Sequence, residues 1–550
     1  MKKRIFRLLP IFMVMLVILV AYKPVDRLFE IQKNLDIFAT LYKEINTYYV
    51  DEVNPNTIIK VGIDAMLNSL DPYTNYIPED EIEDYRTMTT GQYGGIGALV
   101  GTRDNKSVVL MPYENFPAYK NGLKIGDEII KINGIPLKNK NQNEVSKLLK
   151  GQAGTVIKLE VKSLGQTTTK EIEFKRETIK IDNVRFFTMV NQEVGYLSLT
   201  DFTYNASKEV KNAIEKLKEQ GAKKIILDLR GNPGGLLSEA VNISNLFIQK
   251  DLDVVSTKGK VVEWNKTYKA LNSPYDTELP LIVLTNGRSA SASEIVAGVI
   301  QDYDRGVLIG QKSFGKGLVQ ATRPLSYNAQ LKVTTAKYYT PSGRCIQAID
   351  YGKRKADGSV DKFADSLRKE FKTKNGRKVY DGAGVDPDIA VPTKKTSAVL
   401  MALRSKNLLF DYAGEYFLAH KTIKPAQEFR LSEAEYMEFI KWVKTKNVVY
   451  TTQTEKMLKD LEEKAKDERT FGGLEAQIKA LQTKSQQNKE ADLLTFKEEI
   501  RQNLESEIVA FYYFEKGQNL LDFNYDADLK MALEIFKDMN KYQELLKSKK

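Results

Sequence analysis

The chain has 550 residues, 42 per cent hydrophobic and 28 per cent charged, an ordinary globular composition with room for about three or four domains of roughly 150 residues each. Wholesale disorder, collagen-like structure and a polytopic membrane protein are excluded, and a net charge of +11 from 83 basic and 72 acidic residues is too thinly spread to argue for nucleic-acid binding. One histidine, His420, and one cysteine, Cys345, exclude a histidine-rich zinc site, a bis-histidine haem, an iron–sulfur cluster and a disulfide framework; a Ser-His-Asp triad would have to use His420.

In chain order, residues 1–22 come first. A basic start, MKKRIFRLLP, precedes a dozen apolar residues from Ile11 to Tyr22. This is the arrangement of a secretory signal, with cleavage expected near Ala21; an uncleaved membrane anchor is the second choice, because a spanning helix needs closer to 20 apolar residues. Either reading makes the protein exported, to the periplasm or cell envelope, and Cys345 an inert strand residue rather than half of a disulfide. Residues 26–90 carry apolar side chains at helical spacing, Leu35, Phe38, Leu41, Tyr42 and Ile45, then Ile59, Ile63, Met66, Leu67 and Leu70, and predict a helical segment.

Between Gly91 and Lys175 the texture changes to glycine clusters and alternating strands, TVIKLEVK and KEIEFK, joined by a turn at Ser163–Gln166. That predicts a small, mostly β domain. Residues 176–392 have βαβ syntax: GYLSL, a helix with Val210, Ala213, Ile214 and Leu217 on one face, the buried strand KKIILDLR, then LPLIVLTN, a helix from Ser291 to about Tyr303, GVLIG and LKVTTAKYY. A mainly parallel sheet covered by helices follows. Residues 393–550 read as helical, with Leu474, Ile478 and Leu481 on one stripe and the charged runs near Glu455–Glu468 and Lys484–Glu490 as solvated faces.

Three loops of the α/β region carry candidate chemistry. NGRSASASE, Asn286–Glu294, follows a strand and opens a helix; a serine there is a nucleophile candidate, while Ser291 with Glu294 three residues on is equally a capping box. GQKSFGKGLVQ, residues 310–320, begins like a phosphate-binding loop, but Gly317 stands where that loop needs Ser or Thr for magnesium, so a nucleotide-hydrolysing reading is disfavoured. DLRGNPGG, residues 228–235, ends a strand in a glycine-rich turn whose N–H groups can converge on an oxyanion. All three follow strands of one predicted sheet, where α/β ligand sites lie. With no histidine in this region, Lys316 is the candidate base for a serine nucleophile. A free lysine is only about 0.04 per cent neutral at pH 7, so it has to be desolvated to serve.

SASASEIVAG, SFGKGLVQ, DLRGNPGG, YYTPSGR (338–344) and LDPYTNYI (70–77) together resemble the carboxyl-terminal processing peptidases, also called tail-specific serine proteases, over roughly residues 28–392. The resemblance implies an α/β (crotonase/ClpP-like) protease core with Ser291 as nucleophile, Lys316 as general base and Gln320 orienting the lysine. It places oxyanion donors at Ala292 and in the pair Gly234–Gly235. The β domain, residues 91–175, resembles a PDZ domain through FPAYKNGLKIGDEIIKING (116–134), with Tyr93, Gly94, Gly95, Ile96 and Gly97 resembling its carboxylate-binding loop, which would capture a peptide's free C-terminus. The expected fold class is thus multidomain α/β plus α+β, and the expected activity an endopeptidase with a Ser-Lys dyad cutting proteins near their C-termini. No metal or other cofactor is implied. The expected partners are protein or peptide substrates with free C-termini, an adaptor protein, and further copies of the chain through the helical ends, with membrane contact only through the N-terminal segment. The rival reading is a catalytically silent PDZ adaptor.

Overall fold

The computed structural model describes residues 27–355, 358–393 and 395–548; the apolar run Ile11–Tyr22 lies outside them, and no helix among the described residues is long and apolar enough to cross a membrane. The chain divides into two units. The smaller takes the chain up to Glu79 with Gln320–Thr334 and Tyr351–Ser359; the larger takes Asp80–Val319, Thr335–Asp350 and everything from Val360.

In the smaller unit, helices cover residues 27–48 and Pro55–Asn68. The second begins where Asn54 accepts a hydrogen bond from Thr57 N and Pro55 supplies the first helical residue. The stripe Leu35, Phe38 and Leu41 is exposed. The expected helical stretch is interrupted by LDPYTNYI: Pro72 disfavours helix at Asp71, whose Oδ1 accepts from Tyr73 N and Thr74 N at 2.8 and 2.9 Å. The chain leaves this turn as a strand, Asn75–Ile77, antiparallel to Gln330–Lys332.

The larger unit begins with the β domain. Strands Ala98–Arg103, Lys106–Pro112, Glu128–Ile132, Val156–Lys162 and Thr169–Lys175 lie in that order in one sheet, and the helix Gln142–Leu149 closes a core of Val109, Ile129, Ile132, Ile157, Leu159 and Val161. Glu177–Lys180 returns to pair with Gln92–Gly95.

The α/β core is a six-stranded sheet in sequential order. Its elements are β1 (Val184–Met189), β2 (Val194–Leu199), α1 (Ala206–Glu219), β3 (Lys224–Asp228), α2 (Leu237–Phe247), β4 (Leu281–Thr285), α3 (Ala292–Asp302), β5 (Val307–Gly310) and β6 (Ile389–Ala390). β1 is antiparallel to β2 and every later neighbour is parallel. The expected strand LKVTTAKYY does not extend this sheet: no crossover helix separates it from β5, as a parallel neighbour needs, and its Ala336–Tyr339 end pairs antiparallel with Ser256–Gly259 in another sheet. Because parallel crossovers are right-handed, sequential order puts α1, α2 and α3 on one face. The strand period of two then divides the side chains: Ile225, Leu227, Leu281 and Val283 meet these helices. Their alternates Ile226, Ile282 and Leu284 point to the opposite face.

That opposite face is covered by the end of the chain. Helices α4 (Ala527–Lys537) and α5 (Met539–Leu545) lay Leu529, Ala532, Ile535, Phe536 and Tyr542 over Ile226, Ile282, Leu284, Val307 and Ile309. The helices Leu408–Ala419, Glu433–Lys444 and Lys497–Asp522 form a further core that Val108 and Ile125 of the β domain join. On the helix Phe471–Thr495 only Ile478 of the expected stripe is buried, while Leu474 and Leu481 are exposed. Cys345 is not in a strand: Gly343, at φ +87°, turns the chain out of the strand Gln330–Tyr339, and the thiol sits in irregular backbone where burial pushes its pKa up.

Candidate active site

The turn between β4 and α3 presents three serines in different states. Ser289 is buried, donates its hydroxyl to Leu229 O at 2.8 Å and accepts from Asn286 N. Ser293 is buried and donates to Asn232 O at 3.0 Å. Both hydroxyls hold this turn to the loop after β3. Ser291 is half-buried and adopts φ 55°, ψ −113°, a backbone region that costs a non-glycine residue of order 1–3 kcal/mol and is kept where surrounding contacts enforce it. A strained strand-to-helix turn is how α/β hydrolases expose a nucleophile.

The enforcing contacts come from Glu294. Its carboxylate is fully buried and is more than a cap: Oε2 accepts from Ser291 N at 2.8 Å and from Lys316 N at 2.9 Å, while Oε1 accepts from Ser313 Oγ at 2.5 Å and Gly315 N at 2.7 Å. One oxygen therefore holds the main chains of Ser291 and Lys316 together. Burial pushes this carboxyl up from its ordinary 4.5 to about 7, the four donors pulling the other way. A second clamp is Tyr338, 1 per cent exposed, whose hydroxyl lies 2.5 Å from Lys316 O and 3.1 Å from Ser291 O.

Lys316 is half-buried between two glycines that pack closely. A Cβ on Gly315, which has φ +89°, would stand 2.5 Å from Ala348 Cβ, and one on Gly317 would stand 2.8 Å from Gln347 N. The loop ends in the strand Leu318–Pro324 rather than a helix, and its Gly315 and Lys316 amides are spent on Glu294. A phosphate-binding loop is thereby overturned, since it needs those amides free and a helix behind them.

The glycine pair after β3 lies against Ser291. A Cβ on Gly234 would come within 2.7–2.9 Å of Ala290 O, Ser291 Cβ and Ala292 N, so only glycine fits. Asn232, fully buried, sets this loop: its amide donates to Leu199 O, its Oδ1 accepts from Gly234 N at 2.8 Å, and its carbonyl accepts from Ala290 N. The N–H of Gly234 is thus committed. Among the described residues the N–H groups of Gly235 and Ala292 have no hydrogen-bond partner, which distinguishes the two glycines where sequence could not.

Gln320 falls in the smaller unit, where its amide donates to Thr334 Oγ1 at 3.1 Å. Thr334 N in turn donates to Thr74 Oγ1, which donates to Asp71 at 3.0 Å. In the β domain, Tyr93, Gly94 and Gly95 belong to the strand paired with Glu177–Lys180, and Gly94 has no room for a Cβ beside Gly151 O. Ile96 and Gly97 form the turn that follows; their carbonyls accept from Ala118 N and Tyr113 N, and their own N–H groups have no partner among the described residues. His420 caps the helix Leu408–Ala419 and stacks on Tyr416 at 3.9 Å. No group of three or more His, Cys, Asp or Glu among the described residues could hold a metal ion.

Residues 193–352 match the model of Peptidase family S41, residues 108–163 a PDZ domain, and residues 399–536 the probable PDZ-protease, C-terminal helical domain. The carboxy-terminal-processing protease of Bartonella bacilliformis is 39% identical over 321 residues, 58% of this chain and 73% of that one. The chain belongs to the carboxy-terminal processing protease family. Membership makes it a serine peptidase, a hydrolase, with a PDZ domain and a C-terminal helical domain beside the S41 core. The carboxy-terminal processing protease CtpA of Bacillus subtilis is 34% identical over 308 residues, and the alignment covers 56% of this peptidase and 65% of that one. Among solved structures, the photosystem II D1 C-terminal processing protease is 26% identical with a TM-score of 0.35, over 64% of this chain and 92% of that one.

The peptidase's sequence motifs named Ser291, Lys316, Gln320, Ala292 and the glycine pair. They did not reveal Asn232, Tyr338 or the double duty of Glu294. The only signal for Glu294 was the capping-box spacing, which accounts for one of its four hydrogen bonds.

Proposed function

We propose that this protein is an exported serine endopeptidase that cleaves protein substrates near their C-termini with a Ser291–Lys316 dyad. The observation that carries the reading is the shared anchoring of Ser291 and Lys316 by the Glu294 carboxylate and the Tyr338 hydroxyl. It brings a half-buried, strained serine and a lysine packed between glycines to one place.

In the proposed reaction, Ser291 Oγ attacks the scissile carbonyl as its proton passes to neutral Lys316 Nζ. The carbonyl electrons move onto an oxyanion held by the N–H groups of Ala292 and Gly235. Collapse of this intermediate expels the amine, which takes the proton from Lys316 and leaves an acyl-enzyme. Water, deprotonated by Lys316, then attacks the ester and releases Ser291. Gly234 serves by having no side chain, and the role of Gln320 in orienting Lys316 rests on the family resemblance. No metal or other cofactor enters.

In this reading the PDZ domain captures the substrate tail as an added strand, with its terminal carboxylate at the turn of Ile96 and Gly97. The core is of the crotonase/ClpP-like type, a reading supported by sequential parallel strands with all three crossover helices on one face. Export rests on the basic start and the apolar run before residue 23. A biotinylated fluorophosphonate, which phosphonylates activated serines with loss of fluoride, tests the dyad. Peptide mapping is expected to find the label on Ser291 in the wild type and none in Lys316→Ala; label on another serine, or none on the wild type, would refute it.

A further inference from the structure

Asp228, the last residue of β3, and Arg230, two residues on, lead directly into the Gly231–Gly235 loop. All five guanidinium N–H groups of Arg230 are used, on two sets of partners. The inner set is Asp228: Nε lies 3.0 Å from both of its oxygens and Nη2 2.6 Å from Oδ2. Asp228 is further held by the Tyr196 hydroxyl at 2.6 Å. The outer set comes from the far end of the chain. Asp526 takes a two-bond fork, Nη1 to Oδ1 at 2.9 Å and Nη2 to Oδ2 at 2.6 Å, and Asp528 Oδ2 takes the remaining Nη1 proton at 2.8 Å.

The outer pair is itself rigidly placed. Asp526 caps α4 by accepting from Leu529 N at 3.0 Å, and α4 is fixed to the sheet by its apolar face. Asp528 Oδ1 also stands 3.5 Å from the amide of Gln311, the residue that opens the loop carrying Lys316. The Arg230 side chain is 19 per cent exposed and the three carboxylates 14 per cent or less. In such a setting a planar bidentate fork fixes direction as well as distance.

We propose that Asp526 and Asp528 are positioning residues for the peptidase reaction: by holding Arg230 they set the loop that presents the Gly235 N–H to the oxyanion, a task given to the C-terminal helical domain. The inference rests on the proposed Ser-Lys mechanism. It follows from the close fit downstream, where the space beside Gly234 is too small for even a Cβ before Ser291 Cβ and Ala292 N are met, so a displacement of Arg230 has little slack to absorb it before the donors.

The test uses the full chain and matched peptide substrates carrying a scissile ester or the corresponding thionoester, whose sulfur is a poor acceptor for an oxyanion hole. The variants are Asp526→Asn/Asp528→Asn, Asp528→Asn alone, and Tyr542→Phe. The last loosens the same interface, by removing the hydroxyl that bonds Leu281 N and O at 3.1 Å, without touching Arg230. The double variant is expected to lose about 100-fold in kcat, the size of an oxyanion-donor loss, with KM within about twofold of wild type, and its preference for ester over thionoester should shrink. Asp528→Asn, which keeps the Asp526 fork, should lose less, and Tyr542→Phe should lower the melting temperature but keep both rates and the preference. The proposal is overturned if the aspartate variants keep the ester preference, or lose no more activity than Tyr542→Phe. Should the double variant not fold, Asp528→Asn against Tyr542→Phe decides by the same criterion. A wild type that hydrolyses neither substrate overturns the peptidase reading, and this inference with it.

Discussion

At the scale of residues, one carboxylate organises the site, and its titration is a measurable consequence. Unfolded, Glu294 ionises near its ordinary 4.5; folded, burial raises it to about 7. Between those values the native state holds a proton that the unfolded state has released, so stability falls as pH rises from 4.5 toward 7 and is level above that. At about 1.4 kcal/mol per unit the loss is about 3 kcal/mol. Glu294→Gln removes this titration and mismatches four converging donors. The unfolding free energy of the wild type minus that of the variant is therefore expected to drop by about 3 kcal/mol between pH 4.5 and 7 in urea melts; parallel curves would show that the carboxyl ionises normally. This residue also illustrates the limit of the sequence. Ser291 and Lys316 could be named because each sits in a recognisable local string, whereas Glu294 bonds a loop some twenty residues away, and the 3.6-residue period of its own helix says nothing of that.

At the scale of elements, the α/β core was legible because a parallel strand buried on both faces is an unbroken apolar run, as in KKIILD and LPLIVLT. Two features were not. The strand Asn75–Ile77 is three residues long and has no period of its own to read; its turn is written in Asp71 and Pro72 instead. The cover of the sheet's second face comes from α4 and α5, more than 200 residues after the strands they meet. Their amphipathic pattern announced helices but not what they would bury. Phe536, 1 per cent exposed and 5.8 Å from the Tyr542 ring, sits on that face against the strands. Phe536→Ala should cost roughly 3–5 kcal/mol, read as a lowered urea midpoint with unchanged slope. A cost under 1 kcal/mol would mean that α4 packs on the core without stabilising it.

At the scale of the whole molecule, the C-terminal helical domain touches both other parts of the larger unit. Its helices take Val108 and Ile125 of the PDZ domain into their own core, and Phe410 lies under the Arg103 guanidinium of that domain at 3.7 Å. Its last two helices form a layer of the catalytic sheet. The helical region is therefore built into the peptidase rather than appended to it. The measurement that tests the account most directly is hydrolysis of an unfolded protein with an apolar C-terminus, its fragments identified by mass spectrometry, for the wild type, Ser291→Ala and Lys316→Ala. Cuts near the C-terminus are expected from the wild type and none from either variant. Cutting that persists in both variants would contradict the dyad, and an intact substrate with the wild type would favour a PDZ protein that binds tails without cleaving them.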